Sequence, residues 1–305
     1  MQVEIKVLKT FFWELQDQIT KTFGEFDGKA FVSDEWTKPS DSPLQGSGRT
    51  MIIENGNFLE RGGVAFSHVS GKKLPPAATA SRPQIAGGSF EAMGVSLVFH
   101  PHNPKVPTVH MNIRCLIAEK EGVEPVWWFG GGMDLTPYYA NIDDCKHFHQ
   151  TCKNTLDRFN TAYYPAFKKN CDAYFYLPHR QEARGIGGIF YDDFSELGFE
   201  KSFAMTQAVG LSLIDAYLPI VQKNHNQEFS PLEKEFQEYR RGRYAEFNLV
   251  YDRGTHFGLQ SGGRSESILM SMPPVARWQY QRQHLPNSPE DQLTEFFLKP
   301  QDWLS

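Results

Sequence analysis

Polar and apolar positions alternate along residues 96–115, SLVFHPHNPKVPTVHMNIRC, in two separate runs. Leu97 and Phe99 alternate with Ser96, Val98 and His100, and Val109, Met111, Ile113 and Cys115 alternate with His110, Asn112 and Arg114. Each run has the period-two signature of a strand. The prolines between them rule out a continuous helix, so a hairpin is predicted, with His100 opposite His110, Val98 opposite Asn112 and Ser96 opposite Arg114. One face is then apolar and the other carries two imidazoles, an amide, a hydroxyl and a guanidinium. A half-exposed hairpin that merely wets its polar face accounts for the same pattern without chemistry.

The same reading predicts strands over 49–60, 63–70, 89–100, 107–119, 125–131, 184–192, 244–252 and 265–272. Helices are predicted over about 5–23, 141–160, 165–177, 195–223, 231–243 and 288–298. The last opens with SPED, in which Ser288 caps, Pro289 fits the first turn and the acids favour the positive end of the dipole. Residues 37–49 and 71–88, rich in Pro, Gly, Ser and Ala, read as long loops. Strands come early without helices between them and helices cluster later, which is an α+β arrangement with a mainly antiparallel sheet.

A chain of 305 residues, 40% hydrophobic and 22% charged, has enough apolar surface for one large core, and a single domain over 1–305 is expected. No apolar run reaches the roughly 20 residues that cross a bilayer. The N-terminus lacks the features of a signal peptide or organelle presequence, so a cytoplasmic protein is expected. The net charge of −5 argues against a broad nucleic-acid surface. Cys115, Cys145, Cys152 and Cys171 have no CxxC spacing and read as core thiols. The segment 239–264 sets Arg240, Arg241, Arg243, Arg253 and Arg264 among aromatics and glycines. Arginine forks suit an anionic small molecule, although ion pairs with Glu246 or Asp252 would use up some of them.

Two further stretches concentrate chemistry. In 141–159 the helical period puts His149 on the apolar stripe with Cys145, Phe148, Cys152 and Leu156, and His147 on the polar side. His100, His110, His149 and His179 are all read as inward-facing. Together they could form a metal site or serve as hydrogen-bonding and acid–base groups, and their spacing is no recognised ligand motif. In WWFGGGMDLTPYY (127–139), three glycines bare the backbone ahead of Asp134, which either meets ligand N–H groups or simply begins a DLTP turn. GIGGIF (185–190) and SGGR (261–264) lack the context of a nucleotide-binding loop, and there is no GxSxG or HExxH.

Taken together, FEAMGVSLVFHPHNPKVPTVHMNIR, VWWFGGGMDLTPYY, RGIGGIFYDD, RRGRYAEFNLVYDRGT and GLQSGGRSESILMSMPP resemble the oxygen-dependent coproporphyrinogen III oxidases, from about residue 10 to Trp303. The resemblance implies a large, flat sheet of about seven strands covered by helices on both faces, in a homodimer with contacts in roughly 244–279. It implies aerobic oxidative decarboxylation of two propionates of coproporphyrinogen III to vinyl groups, with dioxygen as co-substrate and no organic cofactor.

By motif match, Ser96, Asn112, Ile113, Arg114, Gly262, Gly263 and Arg264 resemble the family's substrate-binding positions. His110 matches its proton donor, and Arg114 and Asp134 match residues that handle substrate. His100, His110, His149 and His179 match positions described as ligands of a divalent metal in bacterial-type members. Met133 and Ser261 depart from the common pattern. On chemistry, arginines suit the propionate rim and the Asp134 carboxylate suits the four pyrrole N–H groups at the centre. A non-catalytic tetrapyrrole carrier would need the same pocket, and a histidine-metal hydrolase is a further alternative.

Overall fold

The computed structural model describes residues 5–74, 82–260 and 262–305. In chain order the elements are α1 (Ile5–Asp27), β1 (Val32–Thr37), β2 (Leu44–Glu54), β3 (Leu59–Gly71), β4 (Ser89–Pro101), β5 (Thr108–Lys120) and β6 (Val123–Thr136). There follow α2 (Ile142–Asp157), α3 (Tyr163–Tyr174), the short pair β7 (Tyr176–Leu177) and β8 (Glu182–Ala183), and β9 (Gly188–Phe194). The chain closes with α4 (Phe199–Asn224), α5 (Pro231–Val250), α6 (Arg253–Gln260), α7 (Ser265–Leu269) and α8 (Pro289–Gln292). Among the described residues seven strands form one antiparallel sheet in the order β1-β2-β3-β4-β5-β6-β9.

The apolar face of the predicted hairpin is the core face of this sheet. Leu97, Phe99, Met111, Ile113 and Cys115 are at most 1% exposed and pack with α1 and α4. Helix α1 presents Leu8, Phe12, Leu15, Ile19 and Phe23 at helical spacing, all at most 1% exposed. Buried Gln16 docks it, since its amide donates to the Arg49 and Val64 carbonyls and its carbonyl oxygen accepts from Arg49 Nε. Helix α4 is, among the described residues, the one helix long and apolar enough to cross a membrane, although no unbroken apolar run of that length was expected. It lies on the sheet through Val209, Leu213, Tyr217 and Ile220.

The hairpin register differs from the prediction by two residues. Val98 pairs with His110, Ser96 with Asn112 and Gly94 with Arg114. Phe99 pairs with Val109, a closer return than the predicted register, which put it opposite Met111, and a shift of two leaves every side chain on its predicted face. His100 thereby comes to lie beside Thr108.

Other boundaries moved for identifiable reasons. Residues 244–250, expected as strand, are the last turns of α5. Tyr244, Phe247 and Asn248 satisfy a helical period, and the capping box of Ser230 and Glu233 starts a helix that nothing interrupts before Tyr251. Residues 265–269 are helical, not extended. β1 and the start of β2 fall in or beside the segment expected as a loop, because VSDEWT is an edge strand with mostly exposed residues and no apolar alternation. Helix α6, with two glycines in RGTHFGLQ, carries little helical signal, but Asp252 caps it by accepting from Thr255 N and Oγ1. Within the predicted loop 71–88, residues 75–81 lie outside the described residues, as does Ser261.

Candidate active site

The polar face of β4, β5 and β6 carries Ser96, Val98, His110, Asn112 and Arg114, and β6 adds Gly130, Gly132 and Asp134 directly opposite Arg114, Asn112 and His110. Two of the three consecutive glycines therefore form bare floor between polar side chains. Gly132 has φ +154°, and a Cβ there would come within 2.0 Å of the Ile189 carbonyl oxygen, so β6 and β9 can pair here only around glycine.

Asp134 is 1% exposed and takes part in two interactions. Arg184 Nη2 donates to both of its oxygens, at 2.9 and 2.8 Å, and His110 Nδ1 stands 2.8 Å from Oδ1. Burial alone would push the Asp134 carboxyl up, but the Arg184 charge and the His110 hydrogen bond outweigh it and hold the group below the ordinary carboxylate range. An ionised carboxylate accepts only, so His110 carries its proton on Nδ1 and leaves Nε2 without a hydrogen-bond partner among the described residues.

The Arg184 side chain is 2% exposed, lies over the rings of Phe175, Tyr244 and Phe247 at 4.1, 4.6 and 4.8 Å, and donates from Nη1 to Asn248 Oδ1 at 2.8 Å. Sequence reasoning gave this arginine no role. In QEARGIGG it is one arginine before a glycine-rich strand, and its partners come from β6, α3 and α5.

Arg114 is four residues from His110 on the same face of β5, roughly 13 Å along the strand. It donates from Nη1 to Asn112 and from Nη2 to Asp192, both at 2.8 Å. Arg253, placed by the Asp252 cap, reaches Asp192 and covers Tyr174 and Phe190. Arg264 donates to Asp34 on β1 at 2.5 Å, four strands from Arg114, or roughly 19 Å at ordinary strand spacing. Gly262 and Gly263 shape the turn before Arg264: Gly262 has φ +72°, and Gly263 N donates to the Gly258 carbonyl at 2.7 Å. Ile113 turns its side chain into the apolar core, in a strand paired on both edges.

The other segment arginines serve inward. Arg241 pairs with Glu60, Arg240 with Glu182, and Arg243 with Glu182 and Glu246.

The four histidines do not converge. Among the described residues no three His, Cys, Asp or Glu side chains are grouped to hold a metal ion. His100 is held between Thr108 and the Ser271 carbonyl, and His149 between Tyr164 and the Ile186 carbonyl. His179, expected to face inward, is exposed and bonds Glu246 and Tyr251. The helix end before it buries Phe175 and Leu177, but residues 178–180 are exposed, and the His179 ring stacks on Tyr251. Both ring nitrogens of His100, His149 and His179 are engaged elsewhere, only Nε2 of His110 is left among the described residues, and the set does not fit a shared ion.

Burial holds the His149 imidazole down to about 3 and His100 well below its ordinary value. Both stay neutral in the fold while the unfolded chain takes up protons below about 6.5. Stability is therefore expected to fall as the pH drops from about 6.5 toward 3. Thermal melts from pH 7.5 to 4.5 should show this loss, and His149→Gln should flatten it.

The pieces form one sheet face: an imidazole backed by a buried ion pair, a glycine floor, and guanidiniums along the rim. That is the apparatus for a flat anionic substrate and a proton transfer. A family model described as coproporphyrinogen III oxidase matches residues 7–303, and that family's role is oxidative, in porphyrin and haem biosynthesis. With the match spanning nearly the full sequence, the chain belongs to the coproporphyrinogen III oxidase family.

Proposed function

We propose that the protein converts two propionates of coproporphyrinogen III to vinyl groups aerobically, giving protoporphyrinogen IX. The observation that carries this reading is the presence of His110 and Arg114 on one strand face over the Gly130–Gly132 floor. Each step balances as a propionate with dioxygen and one proton giving a vinyl group, carbon dioxide and hydrogen peroxide. A tetrapyrrole lies on the glycine floor, with one propionate at Arg114 and another toward Arg264. Ser96 and Asn112 add hydrogen bonds.

Dioxygen adds to the electron-rich pyrrole as a peroxide, and His110 Nε2 takes a proton from the propionate β-carbon and returns it to that peroxide as its C–O bond breaks. The carboxylate leaves as carbon dioxide with its C–C electron pair closing the vinyl double bond, and solvent supplies the net proton. Asp134, covered by Arg184 and His110, acts through the imidazole by fixing its tautomer. The direct contact with pyrrole N–H groups expected from the sequence gives way to this positioning role. No step is assigned to a metal. The homodimer, its contacts in 244–279 and a cytoplasmic location belong to the same reading.

Mass analysis of products with and without oxygen tests it. Two losses of carbon dioxide with matching loss of hydrogen in air, and none anaerobically, support it. Binding without turnover in air makes the protein a carrier, and turnover that ignores oxygen but stops on chelation favours a hydrolase. Within the reading, Arg114→Ala is expected to raise KM for the porphyrinogen about 10- to 100-fold, the size of a lost charge-assisted hydrogen bond, with a smaller change in kcat. Steady-state kinetics under controlled oxygen measure it.

A further inference from the structure

At the rim of the site two guanidiniums from different elements already share a carboxylate, and that carboxylate is the protein's own. Arg114 Nη2 lies 2.8 Å from Asp192 Oδ1, and Arg253 Nη2 lies 3.4 Å from Asp192 Oδ2. Gly130 makes room for this: a Cβ there would stand 2.8 Å from both Arg114 Nη2 and Asp192 Oδ1. The three side chains are partly exposed, at 37%, 32% and 65% for Arg114, Asp192 and Arg253, so the pair of arginines is reachable from solvent. The neighbouring Asp193 points elsewhere and pairs with Arg82 at 2.8 Å.

Resting on the reading of Arg114 as a propionate anchor, we propose that Asp192 is an internal competitor for substrate: a built-in carboxylate that fills the propionate cradle in the free protein and moderates the affinity for acid arms. A ligand enters the cradle only by replacing that carboxylate with one of its own. A tetrapyrrole lacking a propionate at this arm leaves the internal pair intact and gains nothing from the two arginines. The carboxylate therefore lowers the affinity of ligands that bring an acid arm to this cradle and leaves that of ligands without one unchanged.

The test is the affinity of coproporphyrin III, the stable oxidised tetracarboxylate, for the full chain, followed by quenching of its fluorescence. Asp192→Asn is expected to tighten binding by about two- to fivefold, the worth of an exposed ion pair that no longer has to be broken. Binding of a porphyrin with only two propionates should change less. Asp193→Asn removes the same charge one residue away, at a φ of +53° that asparagine adopts readily, and should leave the affinity as it is.

Unchanged or weaker binding by Asp192→Asn overturns the inference, because the carboxylate would then be indifferent or would hold the arginines in place for substrate. Such a result leaves the proposed function standing if the wild-type protein binds and turns over the porphyrinogen. A wild-type protein that does neither overturns both.

Discussion

Asp134→Asn lowers kcat by about 10²- to 10⁴-fold, the range that a positioned acid–base group contributes, while porphyrinogen affinity changes only a fewfold. The carboxylate accepts from Arg184 and His110 together. An amide in its place has one acceptor oxygen. If that oxygen faces Arg184, the amide N–H groups face His110 Nδ1 and favour the wrong tautomer; if it faces His110, donors confront donors at Arg184. Either way Nε2 is no longer reliably the free base. Single-turnover kinetics alongside equilibrium binding separate the two quantities. A variant that keeps kcat and loses affinity would instead make Asp134 a direct contact to the substrate.

The second large effect is on stability. Arg184→Met leaves the buried Asp134 carboxylate without its counter-charge, at a cost of about 3–5 kcal/mol. For a chain of this size the melting temperature should fall on the order of 10 °C. Pairing the change with Asp134→Leu removes both charges, and stability is expected to return largely while activity does not, because an apolar pair of similar volume replaces a buried ion pair at little cost. Thermal melts of the two single variants and the double variant complete the cycle. Strict additivity of the single effects would show that the two groups do not act as a unit.

Much of this site was legible before any coordinates. Period-two alternation fixed which side of the sheet His110, Asn112 and Arg114 occupy, and that conclusion survived a two-residue error in register because an even shift preserves faces. The inward turn of His149 followed from helical spacing alone. Arg184 was not legible, since its role arises from three rings and a carboxylate supplied by distant segments.

His179 was misread because the burial of the aromatic helix end, real at Phe175 and Leu177, stops at Pro178, after which the chain is exposed beside α5. The tyrosine and phenylalanine pattern of 244–252 fits strand and helix alike over so few residues, and the cap at Ser230, far upstream, decided between them. The family resemblance supplied the substrate class. The geometry of Asp134 then altered the part that this residue plays.

The most direct measurement is the crystallographic position of coproporphyrin III bound to the protein. The account predicts the macrocycle over Gly130 and Gly132, one propionate on Arg114 and another within hydrogen-bond reach of His110 Nε2. A porphyrin seated instead in the separate 510 Å³ cavity between Arg180, Arg243 and Arg282, with the glycine floor empty, would contradict it.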